Sequence, residues 1–419
     1  MTLPPSPHAE TVRVLLVADE PLVLSGLTRI LRTQRSPWEV QTAKSGAEAL
    51  RILAAQPFDF IVSDMRMPEM DGAALLERVR TKYPRTIRIV LSGFAERESA
   101  MRAVTVAHQF LHKPCEPAQL LDTLERASSL YHLINTEELR ARIGSVVVLP
   151  PAPRVYQAIT EAINKPNASA GAIAQILERD PALCAKVLQV ANSAFFGLPQ
   201  RTASAIRAVT YLGTENVRNL VLSMETLSQH NDFDAMGYYS LAALQKQCLL
   251  AATLTRMIPG LPRELHDPSY TAALLHKVGI LVIASASGPH FKLAVAKARK
   301  EQRPLWRIEK ELFGITHAEV GAYLLGAWGL PREIVAAVAT QYDREPAVGS
   351  EIGIATAVRV AGFVADQVLE TGVSGRDEVT CDLDRAWLEG LGMLDKVPTL
   401  MHEARTLVYN FAASELFAA

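Results

Sequence analysis

Five polar residues stand where short apolar runs end: Asp19 and Glu20 after VRVLLV, Asp64 closing FDFIVSD, Ser92 in RIVLSG and Lys113 in HQFLHKP. Carboxylates in such a set can hold Mg²⁺, an ion that keeps several waters and accepts phosphate oxygens. A hydroxyl and an ammonium can take the remaining phosphoryl oxygens. Asp64 is then placed to be a nucleophile that accepts a phosphoryl group. A second feature lies far downstream, where His276 and Lys277 stand inside YTAALLHKVGILVIA, Tyr270 to Ala284, an apolar run that reads as one helix. An adjacent His and Asp can hold a divalent ion together. A lysine there brings a fixed positive charge and, near neutral pH, no lone pair. The dipeptide therefore argues for partner binding and against hydrolysis.

The elements that must position the first set follow from periodicity. VRVLLV, WEVQTA, FDFIVSD, RIVLSG and HQFLHKP alternate with helical patterns over Glu20 to Thr33, Gly46 to Ala55, Gly72 to Lys82 and Glu96 to Val106. Near-continuous apolar strands separated by helices predict a doubly wound, five-stranded parallel sheet with its functional groups at the carboxyl ends of the strands.

The motifs LLVADEP, SDMRMPEMDG, LSGFAE and FLHKP, in this order and spacing, resemble the receiver domain of bacterial response regulators, a flavodoxin-like fold, over residues 11–128. The resemblance implies that Asp64 is the phosphoacceptor. It implies Mg²⁺ held by Asp19, Asp64 and the backbone carbonyl of Arg66, with Ser92 and Lys113 on the phosphate and Phe110 as the switch aromatic. It also implies a cis peptide at Lys113-Pro114, a geometry that only X-Pro bonds adopt at low cost. One departure stands out: the family usually has two acids in succession after the first strand, and here Ala18 precedes Asp19. That loss is expected to weaken Mg²⁺ binding and slow phosphorylation, with Glu20 as a candidate helper in the acidic pocket. Arg66 could also change the lifetime of a phosphorylated state through its charge.

Beyond Lys113 a helical pattern runs from near Glu116 towards Gly144, with Leu120, Leu124, Ala127, Tyr131 and Ile134 at seam spacing. This fits a homodimer seam or a seam against the chain's own second domain, with residues 129–148 as a helical connector. From residue 149 to 419 the pattern is almost wholly helical, with breakers around Ser169, Asp180-Pro181, Gly197-Leu-Pro199 and Gly213, and predicts an all-α domain. ILERDPALCAKVLQVANSAFFGLPQRTASAIRAVTYLGTENVRNLVLS, LLHKVGILV and THAEVGAYLLGAWGLPREIVAAV resemble the HDOD domain, a signalling relative of metal-dependent HD phosphohydrolases. The best-matched part ends near residue 345, and residues 346–419 form a helical tail. Catalytic relatives would present a metal-binding His-Asp pair at His276-Lys277 and a histidine at Gln247. No metal is therefore expected in this half, and no catalysis. His317 reads as a cap or packing residue, and Pro268 places His266-Asp267 in a turn before a helix. Phe195 and Phe196 read as core, with Asn192 and Arg218 as polar groups that could hydrogen-bond inside the module.

Composition narrows the function classes. Lys plus Arg (43) nearly balance Asp plus Glu (44), so no overall field favours nucleic acid or an anionic membrane. Four scattered cysteines without a Cys-x-x-Cys pair suggest neither a disulfide framework nor a zinc knuckle and fit a reducing cytoplasm. The N-terminus lacks a signal-peptide pattern, and no uninterrupted apolar run of membrane length stands out. The resemblances imply a two-component response regulator with a histidine kinase upstream and a protein partner for the helical module. The alternative is a receiver-regulated metal-dependent phosphohydrolase acting on a cyclic nucleotide or another phosphoester.

Overall fold

A computed structural model describes residues 12–32, 38–93, 103, 106–131, 158–159, 161–162, 169–193, 201–228, 240–343, 352–371 and 382–413. In the N-terminal half, β1 (Val12–Val17), β2 (Trp38–Ala43), β3 (Phe60–Asp64), β4 (Ile87–Ser92) and β5 (Gln109–His112) form one sheet in the order β2-β1-β3-β4-β5. Every pairing is parallel. This is the flavodoxin-like order, which puts a topological switch point between β1 and β3. Strands β3 and β4 are buried along their whole length, as their unbroken apolar runs require.

Helices α1 (Pro21–Arg32), α2 (Gly46–Ala55) and α3 (Gly72–Lys82) form the connections seen among the described residues. Ser45 and Asp71 start the latter two by accepting the Glu48 and Ala74 amides at 3.2 and 2.8 Å. Glu48 also accepts the amide of Lys44, the residue before the cap, at 2.7 Å. Most of the helix expected over Glu96 to Val106 lies outside the described residues. Helix α4 (Pro117–Tyr131) packs on α1, with Leu120, Leu124 and Ala127 buried. Tyr131 is the last residue of α4, and Ile134 and the connector from residue 132 on lie outside the described residues.

The C-terminal half is helical in all its described elements. Ser169, Ser204 and Ser240 each cap the helix that follows, while Gly213 ends one at φ +80°. Asp180 accepts the amides of Ala182 and Leu183 at 2.8 and 3.0 Å and, on its other oxygen, the Gln245 side chain at 3.0 Å. That one carboxylate caps a helix and ties it to the helix over Leu241–Thr255. The expected tail is helical over Ile354–Thr371, Asp382–Gly390 and Val397–Ala413.

Two local expectations are corrected. His266 and Asp267 open the helix His266–Leu275 instead of preceding it, because proline is tolerated in a first turn, where its missing N–H would have no intrahelical acceptor. The run from Tyr270 to Ala284 is not one helix: it breaks at His276 and Lys277, and a second helix runs over Val278–Ala286. The stretch Arg263–Ala286 is long and apolar enough to cross a membrane by composition, yet 89% of its apolar window is buried in the helical core.

Candidate functional site

Register gathers the first candidate set at one edge of the sheet. Val17 pairs with Ser63, Asp64 with Leu91, and Ser92 with His112. Ala18, Asp64, Ser92 and Lys113 therefore lie at or one residue past neighbouring strand ends. Asp64 is 1% exposed, and its Oδ2 accepts the Lys113 ammonium while Oδ1 accepts the Arg66 amide at 3.3 Å. Ser92 and Phe110 are buried, and the Ser92 carbonyl accepts the Lys113 amide at 2.9 Å. The Lys113-Pro114 peptide is cis, as the motif implied.

Asp19 and Glu20 are exposed just past β1, whereas Ala18 is fully buried and its amide donates to the Ala43 carbonyl at 3.2 Å. The Arg66 side chain is exposed. Among the described residues no three His, Cys, Asp or Glu side chains gather into a metal-holding group. Two carboxylates and a carbonyl are nevertheless the oxygen-only donor set that suits a hydrated Mg²⁺, which completes its octahedron with water and phosphate.

Sequence reading passed over Arg88, an arginine that β4 buries completely. Its guanidinium donates to the carbonyls of Val106 at 2.7 Å and Thr86 at 3.0 Å, and its amide donates to His108 Nδ1 at 3.0 Å. These bonds hold the turn that leads into β5, the strand carrying Phe110 and, just beyond it, Lys113.

The second candidate set sits in the helical half. Lys277 donates to both carboxylate oxygens of Asp366, at 2.8 and 3.0 Å, and the Gln247 amide donates to Asp366 Oδ1. His276 is buried, with Nδ1 2.5 Å from the Ala273 carbonyl, its own carbonyl accepting from Gln341 at 2.8 Å, and Nε2 without a hydrogen-bond partner. Burial, then the neighbouring Lys277 charge, hold its imidazole well below the ordinary histidine range. Burial also pushes the nearby Cys248 thiol up to about 12. It is a packed thiol with no nucleophilic character at neutral pH.

His317 is buried at the start of the helix over His317–Ala327, a packing position that also makes hydrogen bonds. Its backbone and Nδ1 both contact Glu309 Oε2, at 2.8 and 2.7 Å, and Tyr342 Oη lies 2.9 Å from Nε2. The Nδ1–H tautomer satisfies this geometry, with Tyr342 donating to Nε2. Tyr342 in turn stacks on Trp306 with ring centroids 5.1 Å apart. A Cβ on Gly279 would stand 1.9 Å from the His317 carbonyl oxygen, so only glycine permits the crossing of the helices over Val278–Ala286 and His317–Ala327. Arg218 lies half-exposed with Glu215 at 3.8 Å, a surface position rather than an internal one, and Asn192 is buried. Phe195 and Phe196 lie outside the described residues.

Fold and site define a class: a flavodoxin-like domain with an acidic strand-end site, followed by a module that is helical in its described elements. Residues 14–125 match the response regulator receiver domain and residues 149–344 match the HDOD domain, so this chain carries a receiver domain and an HDOD domain. The MmoQ response regulator of Methylococcus capsulatus str. Bath has a crystal structure 27% identical to it, with a TM-score of 0.50, covering 61% of this chain and 98% of that one. The hydrogenase transcriptional regulatory protein HoxA of Cupriavidus necator is 36% identical over 116 residues, 27% of this chain and 23% of the relative. HoxA of Bradyrhizobium diazoefficiens is 33% identical over 122 residues, 29% and 24% of the respective chains. The chain thus spans about a quarter of the length of these curated relatives.

Proposed function

We propose that this chain is a cytoplasmic two-component response regulator, phosphorylated on Asp64 by a histidine kinase and signalling through protein binding by a non-catalytic HDOD module. The reading divides it into a receiver over 11–128, a connector over 129–148 and the helical module over 149–419. The observation that carries it is the buried Asp64 carboxylate, held at the strand ends by the Lys113 ammonium and the Arg66 amide. Asp19, Asp64 and the Arg66 carbonyl would hold Mg²⁺, which supplies charge neutralisation for phosphoryl transfer. Lys113 and Ser92 would take phosphoryl oxygens, and Phe110 would follow Ser92. Glu20, exposed beside Asp19, has the charge but not the burial of the acid missing at Ala18.

A phosphoryl group adds charge of about −2 and strong acceptor oxygens, enough to bias a poised surface by a few kcal/mol. For the helical half, the lysine at 277 and the amide at 247 support binding over catalysis, since an ammonium supplies no metal ligand and an amide oxygen is a weaker donor than the imidazole a hydrolase would place there. Amide hydrogen exchange tests the switch. Beryllofluoride with Mg²⁺, a mimic of an acyl phosphate, should alter exchange along β4 and β5 in the parent and leave Asp64→Asn unchanged. Identical exchange in the parent with and without the mimic contradicts the reading.

A further inference from the structure

We propose that Lys277 is a built-in cation: its ammonium fills a divalent-cation seat formed by Asp366, Gln247 and His276, and so makes the helical module independent of metal. The inference deepens the non-catalytic reading of the HDOD domain and does not depend on Asp64.

Three mutually packed elements build the seat: the helices over Leu241–Thr255, His266–Leu275 and Ile354–Thr371. The first contributes Gln247, the end of the second leads into His276 and Lys277, and the third contributes Asp366. The Lys277 side chain is 6% exposed and that of Asp366 33%, so the ammonium is inside and the carboxylate opens towards solvent. Both carboxylate oxygens lie within hydrogen-bond reach of the one ammonium, a bidentate arrangement around a point charge.

His276 supplies the second, independent observation. Its Nε2 is buried and unpartnered, 3.3 Å from where a Cβ on Gly362 would stand. Gly362 and Asp366 are four residues apart on one helix and therefore share a face, one turn apart. The orphan nitrogen thus overlooks the same helix face as the ion pair. A neutral imidazole nitrogen, a carboxylate and a side-chain amide that can present its oxygen are donors for a divalent transition metal. In this chain the ammonium already supplies the positive charge, and a divalent ion beside it would be repelled.

The test uses the full chain carrying Asp19→Asn and Asp64→Asn, which remove the carboxylates of the divalent site proposed in the receiver, and thermal unfolding with Mn²⁺ or EDTA. This background, the parent of the variants that follow, should melt at the same temperature in both. Lys277→Met, which leaves Asp366 the Gln247 amide but no cation, should melt roughly 5–10 °C lower, the shift expected when one partner of a largely buried ion pair is removed from a domain of this size. Mn²⁺ at about 100 times its dissociation constant should restore much of that loss in Lys277→Met, by binding the folded state alone. Lys277→Met with Asp366→Asn should show no response to Mn²⁺ and should melt above the single variant, because no charge is left orphaned. If Lys277→Met folds only with Mn²⁺ present, the proposal stands. If it gains nothing from Mn²⁺, or if the double variant is no more stable than the single one, the seat is refuted while the non-catalytic reading survives. A parent that binds Mn²⁺ stoichiometrically and melts higher with it overturns both.

Discussion

Gly72 lies against the backbone of Asp64 so closely that a Cβ on it would stand 2.2 Å from the Asp64 carbonyl oxygen and 3.1 Å from the Met65 Cα. Both atoms belong to the main chain, so nothing flexible can yield. Gly72→Ala is expected to lose about 1–3 kcal/mol, the range for inserting a methyl group into packed structure, and to displace the residue proposed to accept the phosphate. Urea unfolding of the receiver checks this. An unchanged midpoint would mean that the contact is looser than the structure has it.

Lys113→Met tests the charge balance at Asp64. With the ammonium gone, a carboxylate that is 1% exposed loses the positive charge beside it. Removing one partner of a buried charged hydrogen bond costs about 1–3 kcal/mol, and the lower part of the range applies because the Lys113 side chain is 24% exposed. Asp64→Asn together with Lys113→Met should cost less than the two single changes summed. Additive costs in denaturant unfolding would show that the two groups do not interact.

His276 gives the helical module a pH dependence with a definite sign. Its imidazole is held well below the ordinary range by burial and by Lys277, so the folded state stays unprotonated where the unfolded chain takes up a proton. Its effect on stability is absent above the unfolded value near 6.5 and grows as pH falls below it. The loss is about 1.4 kcal/mol per pH unit for one proton and continues until the depressed folded value is reached. Unfolding free energies between pH 7 and pH 5 should fall more steeply for the parent than for His276→Leu. Equal slopes would place the imidazole in contact with solvent.

Much of the receiver was legible in the chain itself. Helices α2 and α3 occupy the spans their patterns predict, and the strand-end residues Asp64, Ser92 and Lys113 share one sheet edge because parallel strands end on the same side. The helical half was legible in class and less so in detail. Nothing at His276-Lys277 signals a break, since neither residue is a glycine or proline and the run is apolar on both sides. Asp366, 89 residues beyond Lys277, sits in RVAGFVADQVLE, where its charge reads as a solvated helix face. Glu309, in RIEKELF, has the same appearance yet is fully buried under His317. A local pattern reports which face of a helix is apolar. It does not report which distant charge meets another, because that depends on the crossing of helices far apart in sequence, and here on close approaches such as that at Gly279.

The central claim is that Asp64 accepts a phosphoryl group although Ala18 replaces an acid beside it. Intact mass after incubation with acetyl phosphate, with and without Mg²⁺, on the parent and on Asp64→Asn tests it most directly. The account predicts a single phosphate on the parent, dependent on Mg²⁺ and lost on treatment with hydroxylamine, and none on Asp64→Asn. A parent that gains no phosphate under any of these conditions, or an Asp64→Asn variant that gains it equally, would contradict it.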